Sequence, residues 1–202
     1  MIRVEREGAL VRIVLDRPDK ANALTSDMLR EVAEAVRGAR DARALILTGE
    51  GRVFSAGADL DEVKTGLATD PAWEEASGAI AAFGGLSVAA VNGTLAGGAF
   101  GMAVACDIRI AVPGARFFYP VMRMGVLPQP SDPGRLVRLV GPARAALILM
   151  AAQKIEAEEA LRFGLIDRIE EDVVEAARGL CAAALAAEPE RIAAIGRMIR
   201  NA

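Results

Sequence analysis

Residues 87–111, SVAAVNGTLAGGAFGMAVACDIRIA, combine a strand, a turn and a helix start in one apolar run. Val88–Val91 is typical of a short buried strand, and Asn92-Gly93 turns the chain after it. Gly97-Gly98 then opens a helix of small residues that runs to Cys106. A second strand is predicted over Asp107–Val112. Strand, turn, helix and strand in this order favour an α/β architecture.

The flanking sequence follows the same alternation. Val11–Leu15 is predicted to be a strand, and Thr25 or Ser26 is predicted to cap the helix that follows it. Ala44–Leu47 has the composition of a buried strand, and residues 54–59 are predicted to form a loop. From Pro133 onward the pattern is helical, with helices predicted over Glu156–Phe163, Val173–Ala187 and Pro189–Ile199.

Composition excludes several classes of function. The chain has 202 residues and a formal net charge of −3, which fits one domain and argues against nucleic acid as the main partner. It has no histidine, so Ser-His-Asp triads and imidazole bases are excluded. Its two cysteines, Cys106 and Cys181, cannot build a disulfide framework or a Cys₄ metal site, and no metal is expected.

Cellular location is predicted from the same composition. The most apolar stretch, from Ser87 to Cys106, is long enough for a membrane span, but its Asn-Gly and Gly-Gly pairs favour the strand–turn–helix interpretation. No targeting signal is recognised at the N-terminus. Low cysteine usage is typical of a reduced compartment, and a cytoplasmic location without a membrane span is expected.

Residues 54–60, FSAGADL, are the first candidate functional segment. Small residues on a loop let another molecule approach the backbone, whose free N–H groups can donate to an anionic oxygen. Asp59 is well placed to cap the helix that follows. A purely structural loop between strand and helix is the alternative interpretation of this segment.

The glycine pair Gly97-Gly98 marks the second candidate segment. N–H groups at a helix N-terminus lie where the helix dipole is positive, so a carbonyl that becomes an enolate would be stabilised there. Close packing of a glycine-rich helix is the alternative. The segment is not a dinucleotide fingerprint, because Ala96 replaces the first glycine, and no P-loop lysine is present.

Together these segments, with LDRPDKANAL at residues 15–24 and EEALRFGLIDRI at residues 158–169, resemble the crotonase (enoyl-CoA hydratase/isomerase) superfamily over about residues 10–170. The resemblance implies a crotonase-like ββα spiral with C-terminal helices. Residues 1–140 would form the spiral core and residues 141–202 a shortened helical region. It also implies assembly as a trimer or a dimer of trimers, and coenzyme A as part of the substrate, with no separate cofactor.

The resemblance implies a site for an acyl-CoA thioester. The backbone N–H groups of Ala56 and Gly98 would form an oxyanion hole around the thioester oxygen, which fixed donors can stabilise strongly. Contacts to the substrate or to coenzyme A are implied for a set of neighbouring residues in the same motifs: Lys20, Ala21, Ala23, Ala56, Gly57, Ala58, Asp59, Leu60 and Gly98.

The sequence departs from the family pattern at the two glutamates of its hydratases. One would lie three residues beyond the oxyanion glycine, where this chain has Gly101, and the other would follow Pro120, where it has Val121. Hydration needs groups that activate water and deliver a proton, and neither residue can do so.

Few residues could replace the missing glutamates. Asp132 is the main candidate, with Gln129 at a nearby position of the same loop, although Ser131-Asp132-Pro133 is also a good helix start. Asp61 and Glu62 are expected to be solvated, and Tyr119 is expected to pack. Two hypotheses stay open: an enzyme of hydratase or isomerase type, and an acyl-CoA-binding protein that has lost its proton-transfer groups.

Overall fold

Two β-sheets form the centre of the structure, a computed structural model that describes residues 1–200. In the larger sheet only the hairpin of the first two strands is antiparallel, and all other neighbours are parallel. In spatial order its strands are β1 (Ile2–Glu7), β2 (Leu10–Leu15), β3 (Ala44–Gly49), β5 (Leu86–Val91), β7 (Ile108–Ala111) and β10 (Arg168–Ile169).

The smaller sheet is built from the short strands that follow those of the larger sheet along the chain. Its order is β4 (Val53–Ser55), β6 (Thr94–Ala96), β8 (Arg116–Phe118) and β9 (Ile155–Glu156). The pairs β3-β4, β5-β6 and β7-β8 each place one strand in each sheet, and helices follow. This repetition matches the ββα spiral that the resemblance implies, so the predicted α/β fold class is confirmed.

Within residues 1–200, ten α-helices surround the sheets. The first six follow turns of the spiral and the last four belong to the C-terminal part. They are α1 (Ser26–Gly38), α2 (Leu60–Val63), α3 (Ala72–Ala81), α4 (Ala99–Ala105), α5 (Val121–Met124), α6 (Asp132–Val140), α7 (Pro142–Leu149), α8 (Ala157–Phe163), α9 (Val173–Ala186) and α10 (Pro189–Arg200).

The larger sheet is covered on both faces, which explains why β3 is apolar at nearly every position. Its side chains alternate between two cores, because successive residues of a strand point to opposite faces. Leu45 and Leu47 belong to the main core, whereas Ile46 packs in a second core with Ala177 and Cys181 of α9.

The predicted helices and long strands agree with the structure to within one or two residues at most ends. The short strands β4, β6 and β8 were not predicted, because three residues are too few for periodicity to identify. The C-terminal part, predicted to be helical, also supplies β9 to the smaller sheet and β10 to the larger one. The division at residue 140 falls between α6 and α7 and stays a prediction.

No helix within residues 1–200 combines the length and the apolar character that crossing a membrane would require.

Candidate active site

A cleft with a volume of about 160 Å³ opens beside the carboxyl ends of β6 and β8. Both candidate segments contribute to it, and most of the remaining lining is apolar. Its walls are formed by Ala56, Ala58, Leu60, Val63, Ala68, Trp73, Ala96, Gly97, Gly98, Phe118, Tyr119, Pro120, Val121, Met124, Val126, Leu127 and Gln129.

The two candidate segments meet backbone to backbone at one wall of this cleft. A Cβ atom at Gly57, where φ is 97°, would lie 3.0 Å from the carbonyl oxygen of Ala96. A Cβ atom at Gly97, where φ is 57°, would lie 3.3 Å from the Cα of Gly57. Both glycines are thus needed for the approach as well as for their positive φ angles.

The amide of Ala56, predicted to be a donor of the oxyanion hole, is already used. It donates to the carbonyl oxygen of Ala21 at 2.9 Å, which ties the FSAGADL segment to residues 20–24. Within residues 1–200, the amides of Ala58 and Gly98 have no acceptor. The assignment of Ala56 is therefore corrected: its amide is not free to bind an oxyanion, whereas the amide of Ala58 in the same segment is.

The free amide of Ala58 lies between two hydrogen bonds that join its chain neighbours to Leu24. Leu24 donates its N–H to the carbonyl of Gly57 and accepts from the N–H of Asp59, both at 2.8 Å. These two bonds bracket Ala58 on its side of a parallel bridge with Leu24. The orientation of Ala58 is therefore fixed by its neighbours, while its own N–H stays without an acceptor within residues 1–200.

The glycine at position 98 is required by a tryptophan. A Cβ atom at Gly98 would lie 2.9 Å from the ring of Trp73, and that ring is held by a 2.8 Å hydrogen bond from its Nε1 to the carbonyl of Leu67. Gly98 is the cap residue of α4, so its N–H belongs to the first, unbonded turn of the helix.

Asp59 caps α2, as predicted, and its side chain is bonded within the protein. One carboxylate oxygen accepts from the N–H groups of Asp61 and Glu62, at 2.9 and 3.3 Å, and the other accepts from the Arg17 guanidinium at 2.6 Å. The hydrogen bond from Arg17 is the main cause that lowers the pKa of Asp59. Its side chain therefore stabilises the loop.

The other acidic candidates near α2 do not reach the cleft. Asp61 is exposed and pairs with Lys64, and the carboxylate of Glu62 accepts the N–H of Ser26 at 2.8 Å. Neither residue lines the cleft; Asp61 is solvated as expected, whereas Glu62 is only partly exposed.

A buried carboxylate lies against Gly101, where the family pattern would place a glutamate. A Cβ atom at Gly101 would be 2.7 Å from Oδ1 of Asp132. Asp132 is the first residue of α6, but it does not cap that helix; its Oδ2 accepts from the hydroxyl of Tyr119 at 2.9 Å. The neighbouring Ser131 instead bonds Glu74 through both its N–H and its hydroxyl.

The carboxyl group of Asp132 is poorly compensated. Its Oδ1 has no hydrogen-bond partner within residues 1–200, and the nearest cation, Nη1 of Arg135, is 3.7 Å away. Burial is the main cause that raises the pKa of Asp132 to about 6, against the lowering effects of Tyr119 and Arg135. A carboxyl group with such a pKa can exchange protons near neutral pH.

Tyr119 connects Asp132 to the cleft. Its ring stacks on Phe100 with 5.4 Å between centroids, as the expectation of packing requires, and the residue lines the cleft. Its hydroxyl also accepts the N–H of Gln129 at 3.4 Å. Burial, followed by the charge of Asp132, raises the pKa of the Tyr119 hydroxyl. The sequence offered no sign of this hydrogen bond, because 13 residues separate the partners.

Comparison with known proteins identifies the relatives of this chain. A family model described as enoyl-CoA hydratase/isomerase matches residues 5–202. The short-chain-enoyl-CoA hydratase of Clostridium acetobutylicum is 37% identical over 181 residues, which cover 83% of this chain and 68% of the relative. The carnitinyl-CoA dehydratase of Citrobacter koseri is 34% identical over 210 residues, which cover 96% of this chain and 78% of the relative.

Solved structures with the same fold were also found. DspI of Pseudomonas aeruginosa is 32% identical, with a TM-score of 0.91, over 99% of this chain and 86% of its own. An enoyl-CoA hydratase/isomerase family protein from Hyphomonas neptunium is 33% identical, with a TM-score of 0.91, over 98% of this chain and 81% of its own. In eight of the curated relatives the matched region spans between 63% and 78% of the relative's length.

Proposed function

Because the chain belongs to the enoyl-CoA hydratase/isomerase family, we propose that it binds an acyl-CoA thioester and polarises the thioester carbonyl with the amides of Ala58 and Gly98. The observation that carries this proposal is the pair of unbonded backbone donors, one on each of two segments that touch beside one cleft. Donors fixed by the fold cost no reorganisation when negative charge develops on the oxygen, and one such donor supplies about 3–4 kcal/mol in acyl-transfer enzymes.

The chemistry of the cleft supports an acyl chain as the group beyond the carbonyl. Its lining includes Met124, Val126 and Leu127, and no charged side chain contributes to it. Burial of methylene groups against such a surface stabilises a complex by about 0.8 kcal/mol each.

The coenzyme A part would then extend along residues 20–23. Lys20 is exposed and Ala21 and Ala23 are partly exposed, so this turn can meet a ligand. Ala21 also accepts the hydrogen bond from Ala56, which links the turn to the thioester end of the site. Contacts of coenzyme A with Lys20, Ala21 and Ala23 are part of the proposal.

A second candidate function is acyl-CoA binding without turnover. Gly101 and Val121, at the positions of the two hydratase glutamates, cannot transfer protons, and this observation favours a binding protein. The two candidates share the thioester site and differ only in whether another group moves protons there.

Paired ligands test the oxyanion hole. Butanoyl-CoA has a thioester carbonyl, whereas the thioether S-butyl-CoA has the same chain length and none. We expect calorimetric titration to show tighter binding of butanoyl-CoA, and Ala58→Pro, which removes the free N–H, to weaken that binding about fivefold, the effect of one lost hydrogen bond.

The thioether and the infrared spectrum provide the controls. Binding of S-butyl-CoA should be unchanged in Ala58→Pro. The carbonyl stretch of butanoyl-CoA bound to this variant should lie closer to its frequency in water-free solvent than the stretch of butanoyl-CoA bound to the unaltered protein. Equal weakening for both ligands would show that the variant distorts the cleft, and absence of butanoyl-CoA binding to the unaltered protein would refute the proposal.

A further inference from the structure

We propose that Tyr119 and Asp132 form a proton relay that serves C2 of the bound acyl group, with the Tyr119 hydroxyl facing the substrate and Asp132 behind it. This inference rests on the proposed function, because it needs an acyl thioester in the cleft. It departs from the family pattern, in which the proton-transfer groups would be carboxylates at positions 101 and 121.

The position of the pair relative to the free amides is the first argument. Gly98 and Gly101 lie one helical turn apart on the same face of α4, a rise of about 4.5 Å. The carboxylate of Asp132 touches the space where a side chain at Gly101 would begin. Gly98 and Tyr119 also line the same cleft, so an acyl thioester held at Gly98 would share that cleft with Tyr119.

The lack of compensation around Asp132 is the second argument. Its side chain is fully buried, and its Oδ1 forms only a long ion pair of 3.7 Å with Nη1 of Arg135; within residues 1–200 neither atom has a hydrogen-bond partner. A buried carboxylate that serves only stability normally accepts hydrogen bonds at both oxygens. Within the described part of the chain, the one hydrogen bond to this carboxylate comes from Tyr119, which lines the cleft.

The step balances without any further reactant. The C2–H bond breaks and a new O–H bond forms on Tyr119 Oη, while the original phenolic proton passes to Oδ2 of Asp132. The electron pair of the C–H bond becomes the enolate, whose oxygen the amides of Ala58 and Gly98 hold. Tyr119 is neutral before and after the step, which suits a phenol whose ionisation is opposed by burial.

Loss of deuterium from C2 measures this step alone. Butanoyl-CoA that carries deuterium at C2 is incubated with the protein in ordinary water, and mass spectrometry follows the wash-out. We expect Asp132→Asn and Tyr119→Phe each to slow wash-out by about 100-fold or more, the usual effect of losing a general base. Asp27→Asn, on the exposed face of α1, is the matched control and should leave the rate unchanged.

The pH profile separates proton transfer from a structural role. Wash-out needs ionised Asp132, so its rate should rise with pH to a plateau, with a midpoint near the Asp132 pKa of about 6. Asp132 also faces Arg135 from its own helix and Glu74 from α3, and Glu74 raises its pKa while Arg135 lowers it. In Asp132→Asn the midpoint should disappear, and the dissociation constant of butanoyl-CoA should stay within about threefold.

The following results would overturn the relay. Wash-out above one third of the original rate in either variant would do so, and loss in Asp132→Asn alone would show that Asp132 reaches C2 without Tyr119. Binding of butanoyl-CoA by the unaltered protein, with no wash-out above the rate in buffer, would refute the relay and leave the proposed binding intact. Absence of binding would refute both.

Discussion

Asp132 shows how one residue can have a different role from the one its local sequence indicates. The string Ser-Asp-Pro is typical of a helix start, and α6 does begin there. The side chain nevertheless points inward and accepts a hydrogen bond from Tyr119. The glycine at position 101 leaves room for its carboxyl group, and the hydroxyl of Ser131 donates to Glu74. The carboxyl group of Asp132 on α6 thus lies against Gly101 of α4, where a side chain at position 101 would begin.

The raised pKa of Asp132 makes stability depend on pH. The native carboxyl group keeps its proton up to pH about 6, whereas the unfolded chain loses it near 3.8. Between these values the native state binds more protons, so the unfolding free energy falls as pH rises, by about 3 kcal/mol in total. We expect Asp132→Asn to gain about that much relative to the unaltered protein between pH 4 and 7, measured by urea denaturation.

Reference measurements belong to the same experiment. Asp27→Asn should follow the unaltered protein at every pH, because its side chain is exposed. A stability difference between Asp132→Asn and the unaltered protein that stays constant from pH 4 to 7 would contradict the raised pKa.

At the scale of elements, the cleft depends on how the turn after β2 meets the loop after β4. Ala21 and Asn22 adopt positive φ angles of 50° and 53°. This turn directs the Ala21 carbonyl to the N–H of Ala56 and the Asn22 carbonyl to the hydroxyl of Ser55. The bonds fix the loop after β4 and leave the amide of Ala58 unbonded.

Gly57 and Gly66 form a matched pair for testing the close approach of the two segments. Both have strongly positive φ angles, 97° and 110°, but only Gly57 has neighbours within 4 Å of a Cβ atom. We expect Gly66→Ala to destabilise by about 1–2 kcal/mol through backbone strain alone, and Gly57→Ala by an additional 1–3 kcal/mol or so through overpacking against Ala96. Urea denaturation of both variants gives the difference.

Ligand binding adds a second readout for this pair. Gly57→Ala should also weaken butanoyl-CoA binding, because it pushes the loop of Ala58 away from Gly97, and Gly66→Ala should not. Equal destabilisation and equal affinity in the two variants would mean that the segments do not depend on close contact.

At the scale of the whole molecule, the C-terminal part completes the sheets and covers one of them. α9 packs Val173, Ala177 and Cys181 onto the face of the larger sheet that carries Ile46 and Val88. Arg43 donates to the carbonyl of Ala187, just after α9. This packing explains why the central strands are apolar on both faces.

The two buried thiols report how the molecule opens. Burial raises the pKa of Cys106 to about 12 and that of Cys181 to about 11, so neither is a reactive thiolate in the native state. We expect both to react with an aromatic disulfide about 100-fold or more slowly than in guanidinium chloride. We expect Cys181 to react first, because it belongs to the smaller core between α9 and the larger sheet, whereas Cys106 lies in the main core.

Single-cysteine variants assign the two rates. Cys181→Ser should remove the faster phase and Cys106→Ser the slower one. Reaction of Cys106 at the same rate as Cys181 would show that α9 and the main core open only together.

The sequence by itself determined the family, the α/β spiral and the two segments that meet at the cleft. These features are written in contiguous motifs: the glycine pair at 97–98, the FSAGADL loop and the alternation of apolar strands with amphipathic helices. Local conformational preference and hydrophobic periodicity act over a few residues, so a sequence displays them directly.

Only the tertiary structure decided which amide is free and which carboxylate stands near the cleft. The choice of Ala58 over Ala56 depends on a hydrogen bond to Ala21, 35 residues earlier, and the placement of Asp132 against Gly101 depends on the packing of α6 on α4. Hydrogen-bond satisfaction and close packing are properties of groups brought together from distant parts of the chain, and no local pattern encodes their outcome.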